Sequence, residues 1–182
     1  MAISTIGIYC GSSNSVEDSY KTAAQEAGEA IARAGLNIVY GGGSNGLMGA
    51  VAEGALAHGG NVIGVMPKVL ENFETPHPSI HQLILTPDMH TRKAKMSELA
   101  DAFLMLPGGV GTLEEFFEAW TWRLIGIHNK PCAILNSNGF YDQLVAFIEH
   151  GRQEHFIRTA IHTPLIIESD IEPIISRILA AQ

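Results

Sequence analysis

Residues 107–115 read Pro-Gly-Gly-Val-Gly-Thr-Leu-Glu-Glu and combine three kinds of chemistry in nine positions. Glycines let a backbone approach a ligand without Cβ obstruction, and the free N–H groups of a helix start attract an anion. Glu114 and Glu115 follow at once, placing carboxylates beside whatever the turn would hold. The same residues also fit a tight turn without a ligand, and acids in a first helical turn stabilise the helix dipole. A second glycine turn, Gly41-Gly42-Gly43-Ser44-Asn45-Gly46, has the same strand-to-helix setting. Its spacing is not the GxGxxG dinucleotide fingerprint. Two such turns in one chain favour a phosphate-bearing ligand, with Gly42 and Gly43 as contacts. Arg92 and Lys93 supply the cations. Lys93 falls on the face of its helix that carries Met89 and Met96, in a first turn where positive charge opposes the dipole. A bound anion, Glu115, or snorkelling to solvent would each account for it.

These residues need elements to hold them. Residues 101–106 (DAFLML) read as a buried parallel strand feeding the first turn, and 36–40 (LNIVY) as the strand feeding the second. Residues 5–9 (TIGIY) form a first strand, followed by Cys10-Gly11-Ser12-Ser13-Asn14. Ser13 stands where open α/β sheets bind ligands, and plain capping explains it equally well. Ser15 is the expected N-cap of a helix over 17–34. Further strands are expected at 61–66, 83–86, 132–136 and 163–168. Helices are expected at 47–58, 88–100, 141–153 and 171–180, besides the one after the central turn. The small residues of the 47–58 helix predict close packing on the sheet. The 67–82 stretch reads as irregular, with Glu74, and with His77 and His81 as loop or surface histidines. Alternating strands and helices without repeats or linkers predict one doubly wound α/β domain over 1–182.

The helix after Gly111 carries Leu113, Phe117, Trp120 and Leu124 as an expected sheet-facing stripe. Ala119, Trp122 and Ile125 project on nearly the opposite side. A helix apolar on two sides is buried on two sides, which predicts a homodimer. The net charge of −8 argues against nucleic acid as a partner. Neither a basic leader nor a long apolar run is present, so no signal peptide or membrane span is expected. Cys10 and Cys132 read as two buried thiols of a cytoplasmic protein. No ligand set suggests a metal.

Taken together, YGGGSNGLMG (40–49), MHTRK (89–93) and PGGVGTLEE (107–115) closely resemble the LOG family, cytokinin-activating phosphoribohydrolases long labelled as lysine decarboxylases. The resemblance implies a Rossmann-like fold, with a mostly parallel sheet covered by helices on both faces, and a dimer. It also implies hydrolysis of a nucleoside 5′-monophosphate to free base and ribose 5-phosphate, with no cofactor. By motif it makes Arg92 and Glu115 the catalytic pair. Lys93, Gly109, Gly111 and Thr112 match substrate-binding positions, as do Glu74 and Thr121 more weakly. Val110, Leu113 and Glu114 complete the binding segment. Val110 stands where family members commonly carry an aromatic, which bears on base preference. Nothing marks a pyridoxal phosphate lysine. A non-hydrolytic nucleotide carrier or sensor is the alternative with the same loops. A phosphoribosyltransferase would usually show an acidic pair ahead of a Thr-rich loop, which this chain lacks.

Overall fold

The computed structural model describes residues 2–70, 74–157 and 164–181. Short apolar runs form strands β1 (Thr5–Tyr9), β2 (Asn37–Tyr40), β3 (Val62–Pro67), β4 (Gln82–Thr86), β5 (Ala102–Met105), β6 (Cys132–Leu135) and β7 (Ile166–Glu168). Between and after them lie helices α1 (Asp18–Arg33), α2 (Gly46–Ala57), α3 (Met89–Leu99), α4 (Val110–Leu124), α5 (Asp142–Gln153) and α6 (Ile171–Ala180). Thr163, the expected start of the last strand, lies outside the described residues. The seven strands form one sheet in the order β4-β3-β2-β1-β5-β6-β7. Every pairing is parallel, so the sheet is wholly rather than mostly parallel among the described residues. The chain winds outward from β1 to β4, then returns to β5 on the other side of β1. That reversal opens a crevice at the carboxyl ends of β1 and β5.

Side chains alternate along the buried strands and build two cores. Ile6, Ile8, Leu104 and Leu106 pack with α1, α2 and α6. Tyr9, Phe103 and Met105 pack on the other face with Met96 of α3, Phe116 and Trp120 of α4, and Ile148 of α5. Among the described residues no helix is long and apolar enough to cross a membrane. Cys10 and Cys132 are buried free thiols.

Four local expectations are corrected. Ser15 does not cap α1: Glu17 is the N-cap residue, without a side-chain bond, and the Ser15 amide donates to Ser13 Oγ. The small residues of α2 serve helix-on-helix contact as well as the sheet. A Cβ on Gly54 would strike the Gln25 carbonyl of α1, and one on Gly28 would strike Val51. His77 is buried, with its amide donating to Gly42 O and its Nδ1 accepting from the Ser79 amide. Finally, α4 is rotated from the expected register. Its buried face is Thr112, Phe116, Ala119, Trp120 and Arg123, while Leu113, Phe117 and Leu124 lie half-buried on the flank. The first turn sets that register, because Thr112 packs beneath Gly108, where any Cβ would collide with its side chain.

Candidate active site

At the crevice the turn after β5 is tied to the loop after β1. The Gly11 amide donates to Pro107 O at 3.0 Å, and the Leu47 amide donates to Gly11 O at 3.0 Å. A Cβ on Gly11 would sit 3.3 Å from Gly108 Cα, so the two loops meet backbone to backbone. Gly109 is the N-cap residue of α4 and makes no side-chain cap, which leaves the first amides of the helix open. Above them is a cleft of about 770 Å³, a size usual for a small-molecule site.

Arg92 and Glu115 meet at this cleft and both line it. Arg92 Nη1 lies 3.2 Å from Glu115 Oε1, and the guanidinium is 4% exposed. Its Nε donates to Val65 O at 3.1 Å, so α3 and the end of β3 aim it together. Gly41 makes room for it, since a Cβ there would collide with Nη2. Burial pushes the Glu115 carboxyl above its ordinary pKa, and the Arg92 guanidinium opposes that rise. The result is a carboxylate short of water, held by one aimed cation.

Lys93 turns the other way. Its Nζ donates to Glu114 at 2.5 Å and Glu118 at 2.9 Å, not to Glu115, and it does not line the cleft. Burial works against the ammonium, but the two carboxylates outweigh it and raise the pKa. A lysine that forms Schiff bases needs the opposite shift.

Ser13, Glu74, Gly109, Gly111, Thr112 and Glu114 all line the cleft. Gly42, Gly43, Val110, Leu113 and Thr121 are not among its lining residues. In the second glycine turn the Gly46 and Leu47 amides are already engaged, donating to Asn14 Oδ1 and Gly11 O. It acts instead as a mount. Gly43 bridges Pro76, the Ser44 amide donates to Thr75 O, and Gly43 lies near the Glu74 carboxylate. Glu74 Oε2 is buried with no hydrogen-bond partner among the described residues, facing a cleft that it lines. Val110 points outward at 84% exposed, and Thr121 is exposed further along α4. Sequence reasoning missed the apolar wall of Val16, Tyr20, Met48, Leu70, Met89 and Phe140. Tyr20 and Phe140 meet edge to face with centroids 5.5 Å apart. Their apolar character was visible, but they come from five separate segments and share no spacing.

The family model described as "Possible lysine decarboxylase" matches residues 48–178. A "Cytokinin riboside 5'-monophosphate phosphoribohydrolase" of Rhodococcoides fascians is 46% identical, over 96% of this chain and 88% of that protein. The chain belongs to the LOG family. A second LOG relative, "Cytokinin riboside 5'-monophosphate phosphoribohydrolase LOG4" of Arabidopsis thaliana, is 44% identical over 85% of this chain and 72% of its own length. The solved structure of the molybdenum cofactor binding protein from Rippkaea orientalis matches with a TM-score of 0.74 at 22% identity. That match covers 99% of this chain and 98% of the other, and shows a shared fold. No lysine is among the residues that line the cleft, and Lys93 is held as an ion-paired ammonium.

Proposed function

We propose that this chain hydrolyses the N-glycosidic bond of a nucleoside 5′-monophosphate, AMP or an N6-substituted AMP, to free base and ribose 5-phosphate. The activity is that of its named relatives. The observation that carries it is a Glu115 carboxylate, its side chain 11% exposed, that lines one cleft with the uncapped first turn of α4. The 5′-phosphate sits on the Gly109–Thr112 amides, and the apolar wall takes the base. As the C1′–N bond breaks, the base leaves with the bonding electrons and the ribose becomes oxocarbenium-like. Glu115 stabilises that charge and orients the attacking water. Water oxygen bonds to C1′, and the proton it releases ends on the departing base. Arg92 holds the substrate and aims Glu115; its high pKa makes it a poor acid.

The working form is a homodimer. Val110, Ile125 and Ile127 are 84%, 67% and 63% exposed on and just beyond α4, beside the half-buried Phe117 and Trp122. An apolar surface of that kind marks an interface.

Chromatography of AMP incubated with purified protein tests the reading. Adenine and ribose 5-phosphate are expected in equal amounts. The Glu115→Gln variant should bind AMP with near wild-type KM and lose at least about 100-fold in kcat, as one transition-state electrostatic group commands. Binding of AMP without release of base would identify a carrier instead.

A further inference from the structure

Leu106, just past the end of β5, has a buried carbonyl that no β-partner takes, and Pro107 has no N–H to offer. Tyr141, from the start of α5, reaches across to it. Its hydroxyl donates to Leu106 O at 2.9 Å, in a fully buried bond. In the next peptide, Pro107 O accepts from the Gly11 amide. The two successive peptides ahead of Gly109 are therefore each held through a carbonyl, Leu106 O by Tyr141 and Pro107 O by Gly11.

Tyr141 is itself fixed. Its amide donates to Asn136 Oδ1 at 2.7 Å, and its ring lies edge to face with Phe140 at 4.7 Å. It does not line the cleft.

We propose that Tyr141 is a positioning residue for phosphate recognition, its hydroxyl setting the peptide planes that aim the Gly109–Thr112 amides at the ligand. The inference rests on the phosphoribohydrolase reading. It differs from plain burial of a spare carbonyl, because Tyr40 offers a matched case. The Tyr40 hydroxyl also donates to a backbone carbonyl of a glycine turn, Gly43 O at 3.0 Å, but that turn does not line the cleft.

Tyr141→Phe and Tyr40→Phe each delete one buried hydroxyl and keep the ring. Melting temperature, and kcat and KM for AMP and adenosine, are measured for both variants and the parent. Both should lose similar stability. Only Tyr141→Phe should raise KM for AMP, by about tenfold, or about 1.4 kcal/mol, with kcat nearly unchanged. Phosphate contacts are made equally in ground and transition states, so their loss appears in KM. Cleavage of adenosine, which lacks the phosphate, should not change. The AMP-to-adenosine ratio of kcat/KM then falls about tenfold. An unchanged ratio in Tyr141→Phe, or an equal fall in Tyr40→Phe, would overturn the proposal and leave the enzyme assignment standing. A parent protein that does not distinguish AMP from adenosine would overturn both, and that failure is visible without any variant.

Discussion

Glu115 must be ionised to stabilise a ribosyl cation, and burial makes that ionisation harder. Its pKa stands above the ordinary 4.5 because of desolvation, with Arg92 pulling it back. The acid limb of kcat/KM for AMP should therefore lie above the usual carboxylate range. Arg92→Gln removes the opposing cation, so the limb should move to still higher pH. A limb that stays in place or moves down would show that Arg92 does not act on Glu115. Stability carries the opposite sign. A carboxyl whose folded pKa is raised binds more protons folded than unfolded between the two pKa values. Its contribution to stability therefore declines as pH rises through that window, where activity climbs. The Arg92–Glu115 pairing was implied by the family resemblance, and the structure brings the two side chains to 3.2 Å. Lys93 was half legible. Its unusual place on an apolar face was visible, but its partners proved to be Glu114 and Glu118.

Strand boundaries followed the apolar runs closely, with β1 and α6 matching the expected residues. Those elements answer to local pattern alone. The rotation of α4 did not, because its register is set by a contact before the helix begins, Thr112 beneath Gly108. Periodicity ranked Leu113, Phe117 and Leu124 above Thr112 and Arg123, and nothing local could reverse that order. The second glycine turn, expected to contact the ligand, lies outside the lining of the cleft for the same kind of reason. Its Gly46 and Leu47 amides are taken by Asn14 and Gly11, both distant in sequence. The Gly108 contact is testable. Gly108→Ala forces a Cβ into Thr112, and such overpacking costs about 1–3 kcal/mol. For a chain of this length that is roughly 2–12 °C in Tm. Gly111→Ala meets nothing within 4 Å and should melt within about 2 °C of the parent. Because Gly111 lines the cleft, that variant should still lose activity. Equal melting of the two variants would show that Gly108 does not set the register of α4.

At the scale of the molecule, the parallel sheet and its reversal between β1 and β5 bring the glycine-bearing loops after β1 and β5 to one crevice. The amides, the carboxylate and the apolar wall come from different loops and helices, so only the assembled fold has a site. The outer face of α4 extends the argument to two chains. Light scattering at micromolar concentration should give a dimer, and Ile125→Glu, which sets a charge in the exposed patch, should give a monomer. A monomeric parent would remove the assigned role of that face. The central claim is that the turn at 108–112 holds a 5′-phosphate while Glu115 acts on the ribose. It is tested most directly by comparing kcat/KM for AMP and adenosine. Several charge-assisted hydrogen bonds, each typically about 1.5–3 kcal/mol, would be absent with the nucleoside. AMP should then be cleaved at least about 100-fold more efficiently, at tenfold per about 1.36 kcal/mol. Equal kcat/KM for the two substrates would contradict the phosphate cradle and the phosphoribohydrolase reading with it.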